Sequence, residues 1–441
     1  MFESIATAAA AAATIAVLVA VARVGGRCTE KFGQPGVIGE IGVGILLGPS
    51  IVGKIWPGAW ERAFDGVTVG WIERLSSAAL ILFLFEAGRA IDPQLLRAVG
   101  RKALIISNAA FLLPAGLGAA IAAWMHEEYS PSADRLPFIL FVAAAMSVTA
   151  LPVLIRILEA AGQQGTSLGV LAVGCALVDD VTAWSLFACV SALVTASGGW
   201  DVAGTIGASA ALAVTLLFVV RPAVARMSRP PDWVLLALAF GSAAITDALG
   251  THLAFGAFLA GLTVPRSMGV APSIWARLAP LVLPIVFVRA GLATRFDLLG
   301  TAHEWVLVIL ITAAACLGKV GAGTIAAHWT GEPWSRAASL GVLLNARGVT
   351  ELVLLTAGLH LGVITDVVYS MFVVMALVTT AVTMPLLRRT LRVELGAASR
   401  SVVRSHSTPP RTSLRLRPGT ICDSNGVDRR PARRDGKEPQ I

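Results

Sequence analysis

The stretch FVAAAMSVTALPVLIRIL, residues 141–158, is apolar enough for a bilayer interior, yet Ser147, Thr149 and Pro152 interrupt it at mid-depth. A second stretch, LGVLLNARGVTELVLL (340–355), is interrupted in the same way by Asn345, Arg347, Gly348 and Glu351. Hydrocarbon offers no water to a freed N–H or C=O. Such residues are tolerated at that depth only where the opened backbone faces protein or a wet cavity. Two broken spans in corresponding halves of a chain point to an inverted repeat with a site near the midplane.

The surrounding sequence supplies the spans. Of 441 residues, 56% are hydrophobic and 14% charged, and the mean hydropathy is +0.76. One soluble core could not hide that much apolar surface, whereas windows of about twenty apolar residues match a bilayer's thickness. The expected fold class is an all-α polytopic membrane protein with about thirteen transmembrane helices. They fall near residues 4–24, 34–53, 72–91, 102–124, 136–157, 166–196, 201–221, 232–248, 250–267, 276–292, 303–327, 335–360 and 365–388. The broken stretches are the fifth and twelfth. FEAGRA (85–90) in the third echoes VRAGLA (288–293) in the tenth. Both relations are seven spans long, and an odd separation inverts the second copy.

Charge orients the spans. MFESIATAAAAAATIAVLVAVA lacks a basic start, and Arg23 follows the apolar run. It is a first span beginning outside, not a cleaved signal. Cytoplasmic loops then hold Arg23, Arg27, Lys31, Arg97, Arg101, Lys102, Arg156, Arg221, Arg226, Arg229, Arg266, Arg277, Arg336, Arg388, Arg389 and Arg392. The other side holds Lys54, Arg62, Arg74, Arg135 and Arg295, a bias of about three to one toward the inside. An odd count leaves the C-terminus in the cytoplasm, and a plasma or inner membrane is expected. Residues 1–396 form the membrane domain. Residues 397–441 are polar, basic and proline-rich, and are expected as a disordered cytoplasmic tail beside anionic lipid.

Several function classes drop out. The net charge of +8 lies in short loops and the tail, with no basic helix carrying interleaved aromatics, so nucleic acid is not the partner. The cysteines at 28, 175, 189, 316 and 422 have neither metal nor disulfide spacing. The glycines of GEIGVGILLGPS (39–50) follow no strand and serve helix packing, not a nucleotide. His252 is most simply a loop histidine near a helix start. No resident cofactor and no enzymatic activity are expected.

The stretch ALVDDVTAW (176–184) sets Asp179 and Asp180 side by side within the sixth span. Each Asp at a helix centre costs roughly 2.5–3.5 kcal/mol on insertion scales, so the pair needs compensation. Neighbours on a helix point about 100° apart, so one can meet a fixed cation while the other faces a cavity. Lys319, the lysine in mid-span, is the obvious counter-charge. A partly dehydrated carboxyl that binds either a proton or a monovalent cation would perform exchange. Hydroxyls and carbonyls of Ser147–Thr149 could replace part of an ion's hydration shell, or simply bond back to their own helix. Asn345 and Arg347 either touch the ion or cap the broken half-helices, Arg347 by neutralising carbonyl ends.

These motifs resemble the monovalent cation:proton antiporter-2 family, which includes Kef-type and yeast-type potassium/proton exchangers. The similarity runs from about residue 34 to 389 and is carried by GEIGVGILLGPS, SVTALPVLIRILEAAG (147–162), LVDDVTAWSLFA (177–188), FGAFLAGLTVPR (255–266) and LLNARGVTELVLL (343–355). The resemblance implies the sodium/proton antiporter fold, with crossed unwound fifth and twelfth spans. It implies a homodimer with a dimerisation part of spans 1–3 and 8–10 and a mobile core of spans 4–6 and 11–13. Asp180 would be the main ion- and proton-carrying carboxylate, Asp179 the partner of Lys319, and Thr149 a ligand of the transported Na+ or K+. The chain departs from the pattern at Glu86, Arg89, Ala90, Arg289 and Ala293, and no Rossmann-type nucleotide-binding domain follows its spans. Glu86 and Arg289 hold equivalent places in the two repeats, which suggests a compensating buried pair, or an extra carboxylate in the ion path. The expected activity is proton exchange for Na+ or K+. A channel or uniporter of the same fold, and a non-transporting receptor or scaffold, are the alternatives.

Overall fold

The computed structural model describes residues 2–89, 93–195, 199–227, 230–264 and 274–406. In chain order, the first helices are α1 (Phe2–Lys31), α2 (Gly36–Leu47), the short α3 (Val52–Ile55) and α4 (Pro57–Ala63), α5 (Gly66–Arg89) and α6 (Pro93–Tyr129). Then come α7 (Arg135–Ser147), α8 (Leu151–Ala160), α9 (Ser167–Thr195), α10 (Gly199–Thr215), a π-helical turn (Leu216–Val220) and α11 (Arg221–Ala225). The second half holds α12 (Asp232–Ala248), α13 (Leu253–Leu262), α14 (Ile274–Leu292) and a 3-10 turn (Phe296–Leu298). It ends with α15 (Ala302–Trp329), α16 (Trp334–Leu344), α17 (Val349–His360) and α18 (Asp366–His406). Helices occupy every expected range, and among the described residues nine are long and apolar enough to cross a membrane. This is a multi-pass membrane protein.

The interrupted stretches open where the sequence places their polar residues. Between α7 and α8 the backbone is extended at Val148 (ψ 138°) and Ala150 (ψ 96°). Pro152 lies in the first turn of α8, where its missing N–H leaves no intrahelical bond unmade. Residues 345–348 separate α16 from α17 in the same manner. The two openings meet: Ala150 N donates to Ala346 O at 2.8 Å. Thr380 of α18 closes the second, donating to Arg347 O at 2.7 Å and accepting from Arg347 N at 3.3 Å. Every freed group handled this way is one the bilayer need not solvate.

The inverted repeat is visible in glycine contacts. A methyl on Gly44 of α2 would fall 2.9 Å from the Gly291 Cα of α14, and one on Gly261 of α13 2.9 Å from the Gly88 Cα of α5. Gly39 abuts Gly25 of α1, and Gly256, five residues before Gly261 as Gly39 is before Gly44, abuts Ser242 of α12. The halves thus make the same crossings twice, and the FEAGRA/VRAGLA echo marks them. Because the obstructing atoms are backbone, no rotamer can yield. Gly261→Val is expected to lower thermal stability in detergent by at least the roughly 1–3 kcal/mol of core overpacking. Gly42→Ala, with nothing within 4 Å of its added methyl, should be neutral or slightly stabilising, by up to about 1 kcal/mol.

Contacts between helix ends sort them onto two faces. On one, Lys102 meets Glu332 at 3.0 Å, Arg336 meets Ser167 at 2.6 Å, and Gln34 reaches Ala381 O at 3.3 Å. On the other, Thr365 donates to Tyr129 O at 2.8 Å, His303 lies 3.7 Å from Glu128, and Ser50 donates to Asp297 at 2.8 Å. The charge bias expects the cytoplasm at the first.

Met1–Leu395 form one compact unit, and a second begins at Gly396. The expected tail from 397 begins within a helix. The helix α18 runs to His406, because LGAASRSVVRSH contains no proline or glycine run to end it before Pro409. The remainder of that tail, from residue 407, and Ala90 lie outside the described residues.

Candidate ion site

α9 carries Asp179 and Asp180 into the protein's centre, where they are 0% and 2% exposed. Their surroundings differ in kind. Asp179 accepts from the Ser107 hydroxyl of α6, from Thr149 Oγ1 at 2.5 Å and from Lys319 Nζ of α15 at 3.1 Å. Lys319, itself 0% exposed, also donates to Ser147 O, the last carbonyl of α7. Thr149 has one proton and two acceptors in reach, Asp179 and, at 2.9 Å, Leu344 O at the end of α16. This ties α9 to both openings. By contrast, no donor among the described residues reaches Asp180 Oδ1.

A count of charges follows. Two carboxyls and one ammonium leave one charge uncompensated, and burial makes an unpaired charge costly. A bound proton or monovalent cation on Asp180 would remove it. A second buried ionic pair among the described residues balances itself: Arg347 of the opening and Glu351 in the first turn of α17, both 0% exposed, lie 3.0 Å apart. Arg347 further donates to Ala145 O at 2.8 Å and to Met146 O, which the opening of the fifth span leaves without helical partners. It therefore serves as a cap and as the partner of Glu351. Several other buried oxygens near the crossing, Asn345 Oδ1, Thr350 Oγ1 and Glu351 Oε2, have no partner among the described residues. Such atoms call for water or an ion.

The remaining expected residues sort as follows. Ser147 turns its hydroxyl back onto Ala143 O at 2.8 Å and offers its carbonyl, not its side chain, to Lys319. Asn345 Nδ2 lies 3.5 Å from Cys316 Sγ. Thr149 stands on Asp179, not on Asp180. The expected Glu86–Arg289 pair is not formed. Glu86 is bonded to Arg89 one turn on at 2.6 Å, while Arg289 lies 3.6 Å from Glu73 and is hydrogen-bonded to His360. A local i,i+3 partner needs no second helix to be brought into register, and it satisfies Glu86 first. His252 caps α13, accepting from Ala254 N at 3.2 Å.

Three contributors were not picked out in the sequence as site residues. Glu351 was recoverable, since it stands four residues after Arg347. Ser107 and Thr380 were not, because a lone hydroxyl in an apolar span carries no sign of its partner. Removing the ammonium tests the frame of the site. Lys319→Met should cost roughly 3–5 kcal/mol of thermal stability by orphaning Asp179, and adding Asp179→Asn should restore most of it, as read by unfolding in detergent.

Among the described residues no group of three or more His, Cys, Asp or Glu is gathered as for a resident metal. Residues 14–392 match the family model described as sodium/hydrogen exchanger, transmembrane. The chain is 33% identical over 393 residues to the Na(+)/H(+) antiporter NhaS4 of Synechocystis, covering 85% of this chain and 95% of that protein. It is 31% identical to the K(+)/H(+) antiporter 1 of Saccharomyces cerevisiae and 34% identical to the Cation/H(+) antiporter 18 of Arabidopsis thaliana. Those alignments take in 90% and 84% of this chain but only 47% and 48% of the yeast and plant proteins, so the chain spans about half their length. In three dimensions it resembles the sodium proton antiporter MjNhaP1 from Methanocaldococcus jannaschii, with a TM-score of 0.55 at 14% identity, covering 86% of this chain and 96% of that one. At that identity the likeness concerns the fold.

Proposed function

The chain belongs to the sodium/hydrogen exchanger family, one of secondary transporters and not of enzymes, and from that premise we propose that it exchanges protons for Na+ or K+ across its membrane. The observation that supports this most is the contrast within one dipeptide: Asp179 is fully partnered and Asp180 Oδ1 is not. A carboxyl held in protein with one uncompensated charge takes up either a proton or a monovalent cation. Alternating exposure of that carboxyl to the two faces then couples the two fluxes. In this reading Asp180 carries the ion or proton, Asp179 and Lys319 form the fixed frame, and Thr149 and Ser147 hold the opened backbone around it. Asn345 Oδ1, which has no partner among the described residues, is available as a further ligand.

The helices α6–α9 and α15–α18 would move as a core against a scaffold of α1, α2, α5 and α12–α14, through which two copies would pair. The relatives' names divide between Na+ and K+, and both ions take oxygen ligands. Proteoliposomes given Na+, K+ and Li+ in turn, under an imposed pH gradient, test the proposal. Exchange predicts that each transported cation dissipates the gradient and that an opposing proton gradient drives cation uptake. Cation flux indifferent to the proton gradient would favour a channel or uniporter of the same fold. No flux with any cation would favour a receptor or scaffold.

A further inference from the structure

Two cavities open along the seam between α1, α2, α5, α13 and α14 on one side and α8, α17 and α18 on the other. One, of about 350 Å³, lies where Pro35 begins α2 and α8 ends, and Glu30, Arg156 and Glu159 line it. The other, of about 210 Å³, lies where His252 begins α13 and α17 ends, and is lined by Glu73, Ser77, His252, Arg289, Thr356 and His360. The repeat relates them. Pro35 and His252 are the N-caps of equivalent helices, and α8 and α17 each end on a left-handed glycine, Gly162 (φ 66°) and Gly362 (φ 68°). The same seam thus opens once toward each face.

The two mouths are not joined alike. At the α13 mouth, Arg289 of α14 is hydrogen-bonded to His360 Nε2 of α17, and Glu73 of α5 lies 3.6 Å from the same guanidinium. At the α2 mouth, Arg156 of α8 faces Glu30 of α1 and Glu40 of α2 across the seam, with no hydrogen bond between them among the described residues. A guanidinium only donates, so His360 Nε2 must accept, and only a neutral imidazole can do so. A protonated ring would present a second donor and a second positive charge to Arg289. The titratable groups facing this ring are Glu73 from α5, Arg289 from α14 and His252 at the head of α13; Asp247 of α12 acts in turn on His252, and Tyr369 of α18, whose hydroxyl donates to Ala290 O at 2.9 Å, on Arg289. After protonation Glu73 still holds Arg289 and also faces the imidazolium, so what is lost is the Arg289–His360 hydrogen bond that joins α17 to α14.

We propose that His360 and Arg289 form a proton-sensitive latch between α17 and the scaffold, which keeps the cavity at the α13 mouth from widening while His360 is neutral and frees it to widen on acidification of that face. The charge bias puts that face outside. The proposal rests on the antiporter reading only in taking α17 as part of the moving core.

The test reads the mouth directly. Ser77→Cys places a thiol in the cavity wall, in chains with Cys28 and Cys422 replaced by serine. Labelling by a membrane-impermeant maleimide is followed from pH 8 to pH 5, with His360→Gln as the reference that shares the thiol's own pH dependence. Glutamine accepts from Arg289 at every pH. The ratio of labelling in the His360 chain to that in the Gln chain should rise roughly tenfold toward the acid end of this range, as expected of an imidazole that loses its hydrogen bond to Arg289 on protonation. Arg289→Gln, which removes the clash of charges, should flatten the response as well. A ratio that does not change with pH, or an Arg289→Gln chain that responds as fully as the unmodified one, overturns the latch. Exchange measured in the same vesicles separates the two readings: a pH-dependent ratio without exchange sinks the antiporter and leaves the latch, and exchange with a flat ratio does the reverse.

Discussion

Asp180→Asn should yield a folded protein with no cation-dependent proton exchange. The amide neither takes up a proton nor offers a negative charge to a cation, so both halves of the competition vanish together. Stability should hold, because no donor among the described residues reaches Asp180 Oδ1 and the exchange of carboxyl for amide breaks no hydrogen bond there. It also leaves Asp179 and Lys319, 3.1 Å apart, as a balanced pair. Pyranine-loaded proteoliposomes should show dissipation of the pH gradient reduced to that of empty vesicles for Na+, K+ and Li+ alike. Asp179→Asn makes the contrast, since it strips a charge from three donors, Ser107, Thr149 and Lys319, and should destabilise the protein as well as impair it. Exchange persisting in Asp180→Asn would move the transported proton to another residue.

The largest loss of stability should follow from Arg347→Met. It leaves Glu351 without its cation in the protein's centre, at roughly 3–5 kcal/mol for a broken buried pair. It also strips the donors from Ala145 O and Met146 O, each adding about 1–3 kcal/mol for an unsatisfied buried carbonyl. The sum approaches the whole stability of a typical domain, so the variant should be recovered poorly and elute as aggregate on fluorescence-detected size exclusion. Glu351→Gln should be much milder, because the amide oxygen still accepts from Arg347 and the two carbonyls keep their donors. Equal losses in both variants would show that the ion pair, and not the capping of α7, dominates.

Much of this is legible in the sequence. The apolar windows predicted the helices because the bilayer leaves a spanning segment no other way to satisfy its backbone. Ser147–Pro152 and Asn345–Glu351 predict the openings for the same reason, and the fold adds the Ala150–Ala346 bond that makes them cross. The FEAGRA/VRAGLA echo pointed to equivalent positions, yet it misled over the charges within it. Equivalence under a pseudo-two-fold relation does not say which side chains approach the axis. Glu86 and Arg289 each found a different partner, one a single turn away and the other on helices distant in the chain.

By itself the sequence determined that the chain lives in a membrane, where it breaks, and that three ionisable groups in its interior, Asp179, Asp180 and Lys319, had to be reconciled with one another. Those conclusions follow from local cost: each apolar window and each buried charge is favourable or unfavourable whatever its neighbours. Which carboxyl is partnered was implied only by the resemblance, and the tertiary structure supplies the physical reason. Adjacent residues on α9 differ by about 100° of rotation, so a modest turn of that helix against α6 and α15 would exchange their roles, and no local property of the dipeptide sets that angle. It is set by the packing of several helices at once, which also brought the hydroxyl of Ser107 onto Asp179 and left Asp180 Oδ1 without a donor.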